Sequence, residues 1–152
     1  MPEIRFTVYG TPIPQGSSRG FPIRRANGKL GVAITHDNEK TGPYRQEVAG
    51  AALRACAEAE TAAPAPRGTP VALSILFVLA KPQSAPKRTA VYPTKKPDCD
   101  KLCRSVLDAL TGILYEDDSQ VTDISAQKVY GIPERTEICA SHLNDVIAAL
   151  EG

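Results

Sequence analysis

Net charge is nearly absent from this chain: Lys and Arg number 18 against 17 Asp and Glu, which leaves +1 at neutral pH. No global field draws it to a polyanion, so any nucleic-acid surface must come from local clustering. Nor is there an apolar run long enough to cross a bilayer. The opening MPEIRF carries no secretory leader, and the expectation is a cytoplasmic protein. The two His, His36 and His142, are isolated and receive no role. Of the four Cys, Cys99 and Cys103 lie four apart, not at zinc-ribbon spacing, with no His nearby. They read as small, half-buried, reduced thiols. A length of 152 residues predicts one domain, 1–152, with a core of its own.

What the chain does have is concentrated in residues 96–121, KPDCDKLCRSVLDALTGILYEDDSQV. Leu102, Val106, Leu110 and Ile113 recur at helical spacing and predict an amphipathic helix. Pro97 and Asp98 suit its start and Gly112 its stop. Asp98 and Asp100 stand at the entrance, Asp117 and Asp118 just past the exit. Such a helix spans roughly 20 Å, so the two pairs meet only if the chain folds back, as a strand starting near Val121 would allow.

Gathered Asp oxygens are hard ligands that suit Mg²⁺ or Mn²⁺, which keep other positions for water and phosphate oxygens. Each carboxylate also has a structural reading. Asp98 could cap the helix and Asp100 favour its dipole. Asp100 could pair with Arg104 four residues on, and Asp117 and Asp118 could be turn residues. Four carboxylates flanking one apolar helix, beside Lys95, Lys96 and Lys101, favour a site.

Around this stretch, Ile4, Phe6 and Val8 predict a first strand. A Pro- and Gly-rich turn follows over residues 10–20. Residues 21–34 predict a hairpin turning at Asn27-Gly28, with Arg24, Arg25 and Lys29 as edge charges or phosphate contacts. Residues 41–62 read as a scaffold helix and residues 71–79 as a buried strand. Residues 81–96 hold Lys81, Lys87, Arg88, Lys95 and Lys96 with no acid among them. That segment is either a solvated loop or a flexible phosphate-gripping arm leading to Asp98. Thr122, Ile124, Ala126, Lys128 and Tyr130 share one face of a strand. Lys128 is its odd member, either snorkelling or turned toward the site. Thr136, Ile138, Ala140 and His142 predict another strand, and Asn144 or Asp145 could cap a last short helix through Leu150. The order predicts an α/β (α+β) fold, a mixed β-sheet with helices packed on it.

Two other chemistries fit poorly. A DxD phosphotransferase places its motif straight after a buried strand, whereas Thr94-Lys95-Lys96-Pro97 precedes it here. An EF-hand loop needs Gly at the sixth position from Asp98, which is Cys103.

The order PDxDKLxxxxxDALxGxxYxDDxQV, carried by Pro97, Asp98, Asp100, Lys101, Leu102, Asp108, Ala109, Leu110, Gly112, Tyr115, Asp117, Asp118, Gln120 and Val121, resembles the RusA family of Holliday junction resolvases, small endonucleases found mostly in phages and prophages. The resemblance implies that Asp98, Asp100 and Asp118 bind Mg²⁺ and activate water against a backbone phosphate, with Asp117 a close neighbour. The family's functional lysine, four positions after the second Asp, is Arg104 here; an Arg stabilises phosphate charge but is a poor proton donor. The resemblance further implies a homodimer acting on branched DNA, cutting a four-way junction by paired symmetric nicks. Lys95, Lys96, Lys101, Lys87, Arg88, Lys128, Arg24 and Arg25 are the candidate DNA contacts. The rival expectation is a non-catalytic junction-binding protein of the same fold.

Overall fold

The computed structural model describes residues 3–16, 18–36 and 39–142. Among these residues, six strands and two α-helices follow in the order β1 (Ile4–Tyr9), β2 (Ser18–Arg24), β3 (Leu30–His36), α1 (Thr41–Glu58), β4 (Val71–Leu79), α2 (Cys99–Leu110), β5 (Val121–Tyr130) and β6 (Arg135–His142). A short 3₁₀ turn, Asp118–Gln120, leads into β5. The expected last helix, capped by Asn144 or Asp145, lies outside the described residues.

Four strands form a mixed sheet in the order β1-β6-β4-β5. Only β4 and β5 are parallel. Parallel neighbours need a crossover connection, and α2 supplies it. Its residues Leu102, Val106 and Leu110 are fully buried, the stripe that the spacing predicts. Each such side chain contributes about 1.5–3 kcal/mol on leaving water. On the sheet side, β4 offers Val71, Leu73, Ile75 and Phe77, all essentially inaccessible. Strand β6 is in register with both neighbours. Ala140 faces Ile4 and Leu73, Ile138 faces Phe6 and Ile75, and Thr136 faces Val8 and Phe77. The Thr136 hydroxyl shares a 2.5 Å hydrogen bond with the Tyr44 hydroxyl of α1, and burial pushes the Tyr44 phenol up to about 12.

Two expectations move. The scaffold helix ends at Glu58 rather than near Ala62. Glu60 takes φ 52°, and Thr61 N donates to Cys56 O while Glu60 N donates to Ala57 O. Those are the two bonds of a Schellman stop, here without glycine. Helix α2 closes at Leu110, with Gly112 at φ 83° beyond it. Ile113 therefore lies past the helix and is only partly buried. The hairpin does turn at Asn27-Gly28 but stays a separate two-stranded sheet, β2-β3, unjoined to the main one. Its apolar Leu30 and Val32 are exposed.

Candidate active site

At the entrance of α2, Asp98 occupies the N-cap position with extended backbone (φ −71°, ψ 138°), yet its carboxylate caps nothing. The start is held by the backbone instead, Leu102 N donating to Asp98 O at 3.1 Å. About half of the Asp98 side chain is solvent-exposed, and Lys101 Nζ stands 3.8 Å away. An exposed pair at that distance adds little stability. Asp100 in the first turn and Arg104 one turn on are both exposed. The ion pair that their spacing allows does not form among the described residues. Two of the structural readings of these side chains are thus unrealised, and their charges are open to a ligand.

The exit is built differently. Fully buried Tyr115 donates its hydroxyl to Leu107 O at 2.8 Å and so turns the chain back against α2. Burial, then the charge of nearby Asp118, pushes its phenol well above the usual range. Asp117 caps the 3₁₀ turn, accepting from Ser119 N at 2.9 Å. These bonds hold its carboxyl below the usual aspartate value. Gln120 completes a capping box. Its Oε1 accepts from Glu116 N and Asp117 N, both at 2.9 Å, and its Nε2 faces Ala65 O, Pro66 O and Thr69 O at 3.0–3.3 Å. One buried amide thus ties the acidic corner to the loop after α1. Adjacent Asp118 is exposed. Tyr115 and Gln120 are the site-building residues that a search for charged groups passes over. The D-x-x-Q spacing of a capping box was the signal available for Gln120.

The cations lie on three segments. Lys95 and Lys96 are exposed just before Asp98, and Lys87 and Arg88 are exposed further back in the acid-free segment. Lys81 turns inward to Thr89 O at 3.1 Å. Arg24 and Arg25 are exposed on the hairpin. Arg25 lies across Gly31, where an added Cβ would meet Nε at 2.3 Å. The hairpin's root is stationed at α2, Gln15 N donating to Lys101 O at 3.0 Å. The buried Gln15 Oε1 has no partner among the described residues. Lys128 is turned toward the α2 entrance, its Nζ donating to Lys95 O at 2.7 Å and Pro97 O at 2.9 Å.

In kind, the donors fit a hard divalent cation: exposed carboxylates with an orphaned amide oxygen beside the first turn of α2. In arrangement, among the described residues no three His, Cys, Asp or Glu side chains gather into a metal cage. Mg²⁺ commonly takes one or two carboxylates and leaves the rest to water and phosphate oxygens, so a full cage is not what this ion demands. Cys99 and Cys103 are free thiols, and burial raises Cys103 to about 11, which makes it a poor ligand at neutral pH.

This mixed α+β fold, with exposed Asp100 and Arg104 on its crossover helix, is matched by a family whose members form an enzyme class, the endodeoxyribonucleases. Within that class the chain belongs to the RusA family: the family model described as "Endodeoxyribonuclease RusA" matches residues 10–139. The chain is 36% identical over 139 residues to the uncharacterized protein YqaN of Bacillus subtilis (strain 168), covering 89% of this chain and 93% of that one. It is also 36% identical over 73 residues to the crossover junction endodeoxyribonuclease rusA of Lactococcus phage r1t, covering 47% of this chain and 54% of the phage protein. The family acts on branched DNA. Among the described residues, no helix is long and apolar enough to cross a membrane.

Proposed function

We propose that residues 1–152 act as one Mg²⁺-dependent, structure-selective endonuclease domain that resolves four-way DNA junctions by paired symmetric nicks. The observation that carries this reading is the exposure of Asp98, Asp100 and Arg104 along α2, with Asp98 not used as a cap and no Asp100–Arg104 ion pair among the described residues. Exposed charges at the start of a helix that are not spent on capping it, and at most loosely paired, are available to a phosphate and its counter-ion.

In this reading Asp98, Asp100 and Asp118 hold the metal, with Mn²⁺ a workable substitute, and Asp117 assists by fixing the corner from which Asp118 projects. The bound ion would supply Lewis acidity and a water of lowered pKa. Arg104 faces the scissile phosphate and stabilises the charge that builds there. The water oxygen bonds to phosphorus, and the bond from phosphorus to one sugar oxygen breaks. The water's proton ends on the departing alkoxide, which leaves a phosphate monoester and a hydroxyl. Because Arg stays protonated, that proton does not come from Arg104. Lys95, Lys96 and Lys101 grip the backbone beside the cut; Lys87, Arg88, Arg24 and Arg25 extend the contact to the junction arms. A homodimer places two such sites across the two-fold axis of a four-way junction. The setting is the interior of a bacterial or phage-infected cell, where such DNA is found.

The test is cleavage of a labelled synthetic junction by the wild type and Asp100→Asn, with Mg²⁺ and with EDTA. Paired nicks that need Mg²⁺ and vanish in the variant are expected. Tight binding without nicks under any metal would sink the enzymatic reading and leave a branched-DNA-binding protein, with Arg104 at the lysine position as the mark of lost chemistry.

A further inference from the structure

Lys128 sits two residues before the end of β5, opposite Phe77 of β4. Its face of the strand is otherwise Ile124, Ala126 and Tyr130, a poor place for a charge. A lysine there would ordinarily run its stem along the apolar surface and release its ammonium to water. Here the ammonium is engaged. It bridges Lys95 O and Pro97 O, carbonyls on either side of Lys96. Both belong to the stretch between β4 and α2, which has no ladder or helix to satisfy its backbone. Pro97 offers no N–H of its own.

We infer that Lys128 is a positioning residue for the candidate site, fixing from beneath the direction in which the chain enters α2 and hence where the Asp98 carboxylate points. The inference rests on the nuclease reading, and it changes the role of Lys128 from a DNA contact to a brace. Asp98 cannot fix itself, because its side chain caps nothing. Its backbone is held on the helix side by Leu102 N and on the loop side by the Lys128 bridge to Pro97 O. The brace comes from the strand that follows the acidic corner, so β5 links both ends of α2: Gln120 anchors the exit just before the strand begins, and Lys128 anchors the entrance eight residues later.

A brace and a phosphate contact give opposite signatures. In Lys128→Met the stem stays and the donors go. The single-turnover cutting rate on saturating four-way junction with Mg²⁺ should fall roughly ten- to a hundredfold, the scale expected when a supporting bond is lost and a reacting group misplaced. Junction affinity in EDTA, read by fluorescence anisotropy, should hold within about twofold with an unchanged salt slope. Hydrogen exchange at the Leu102 amide, which closes the first turn, should quicken. Lys128→Gln, which restores a short donor, should recover part of both losses, and it carries the experiment alone if the Met variant does not fold. Weakened affinity with a salt slope smaller by about one, at an unchanged saturated rate, would make Lys128 a phosphate contact and overturn the inference. So would an unaltered Leu102 exchange rate. If the wild type cuts no junction, the nuclease reading fails, while the exchange measurement still decides for or against the brace.

Discussion

Asp117 and Asp118 are neighbours whose carboxylates do different things, and the difference is measurable. Asp117 accepts from the backbone ahead of it, which lowers its pKa in the folded protein. A group lowered in this way contributes stability that is present above the ordinary aspartate pKa and is lost as pH falls through the folded value. Thermal melts of the wild type from neutral to strongly acid pH should show that loss, and Asp117→Asn should flatten it. Asp118→Asn should leave the melting curve where it is and abolish cleavage. Arg104→Ala should cost about 10²–10³ in cutting rate, the scale for removing one donor to developing charge, with junction affinity little changed; Arg104→Lys should retain activity. The sequence named these charged residues because charge and spacing are local properties. It left open whether Asp98 capped the helix and whether Asp100 paired with Arg104, since each outcome depends on a side-chain rotamer that one-dimensional spacing does not set.

Helix α2 and the corner after it form one working element. Truncating Leu102 to Ala should destabilise the protein by about 2–5 kcal/mol. Replacing Gln120 with Leu strips partners from Glu116 N, Asp117 N and the carbonyls of the 65–69 loop. The expected cost is roughly 2–4 kcal/mol in urea unfolding, with cleavage lost at temperatures where the fold survives. The helix was legible because its apolar period is strict, and β4 because it is an unbroken apolar run. The end of α1 was not, since its stop is an αL Glu60 where a glycine would have signalled it. The hairpin's turn was equally plain, but its separation from the main sheet was not, because strand partners are chosen by tertiary contacts. Replacing Arg24 and Arg25 together with Gln should weaken junction binding and reduce the salt slope by about two, with the cutting rate at saturation preserved.

At the scale of the molecule, the fold class and layering followed from element order, whereas the sheet order β1-β6-β4-β5 did not. No local pattern announces that the last described strand inserts between the first and the fourth. That placement matters on the ribosome. Strand β4, VALSILFVL, carries no charge and no proline, the kind of segment that seeks any free strand when unpaired. Both of its partners, β5 and β6, are made after it, and β1 also waits for β6. A nascent chain therefore exposes this apolar segment until β5 and β6 have been made. Chains stopped before Arg135 should be held by chaperones or found in the pellet, and slowing translation ahead of β6 should lower the soluble yield.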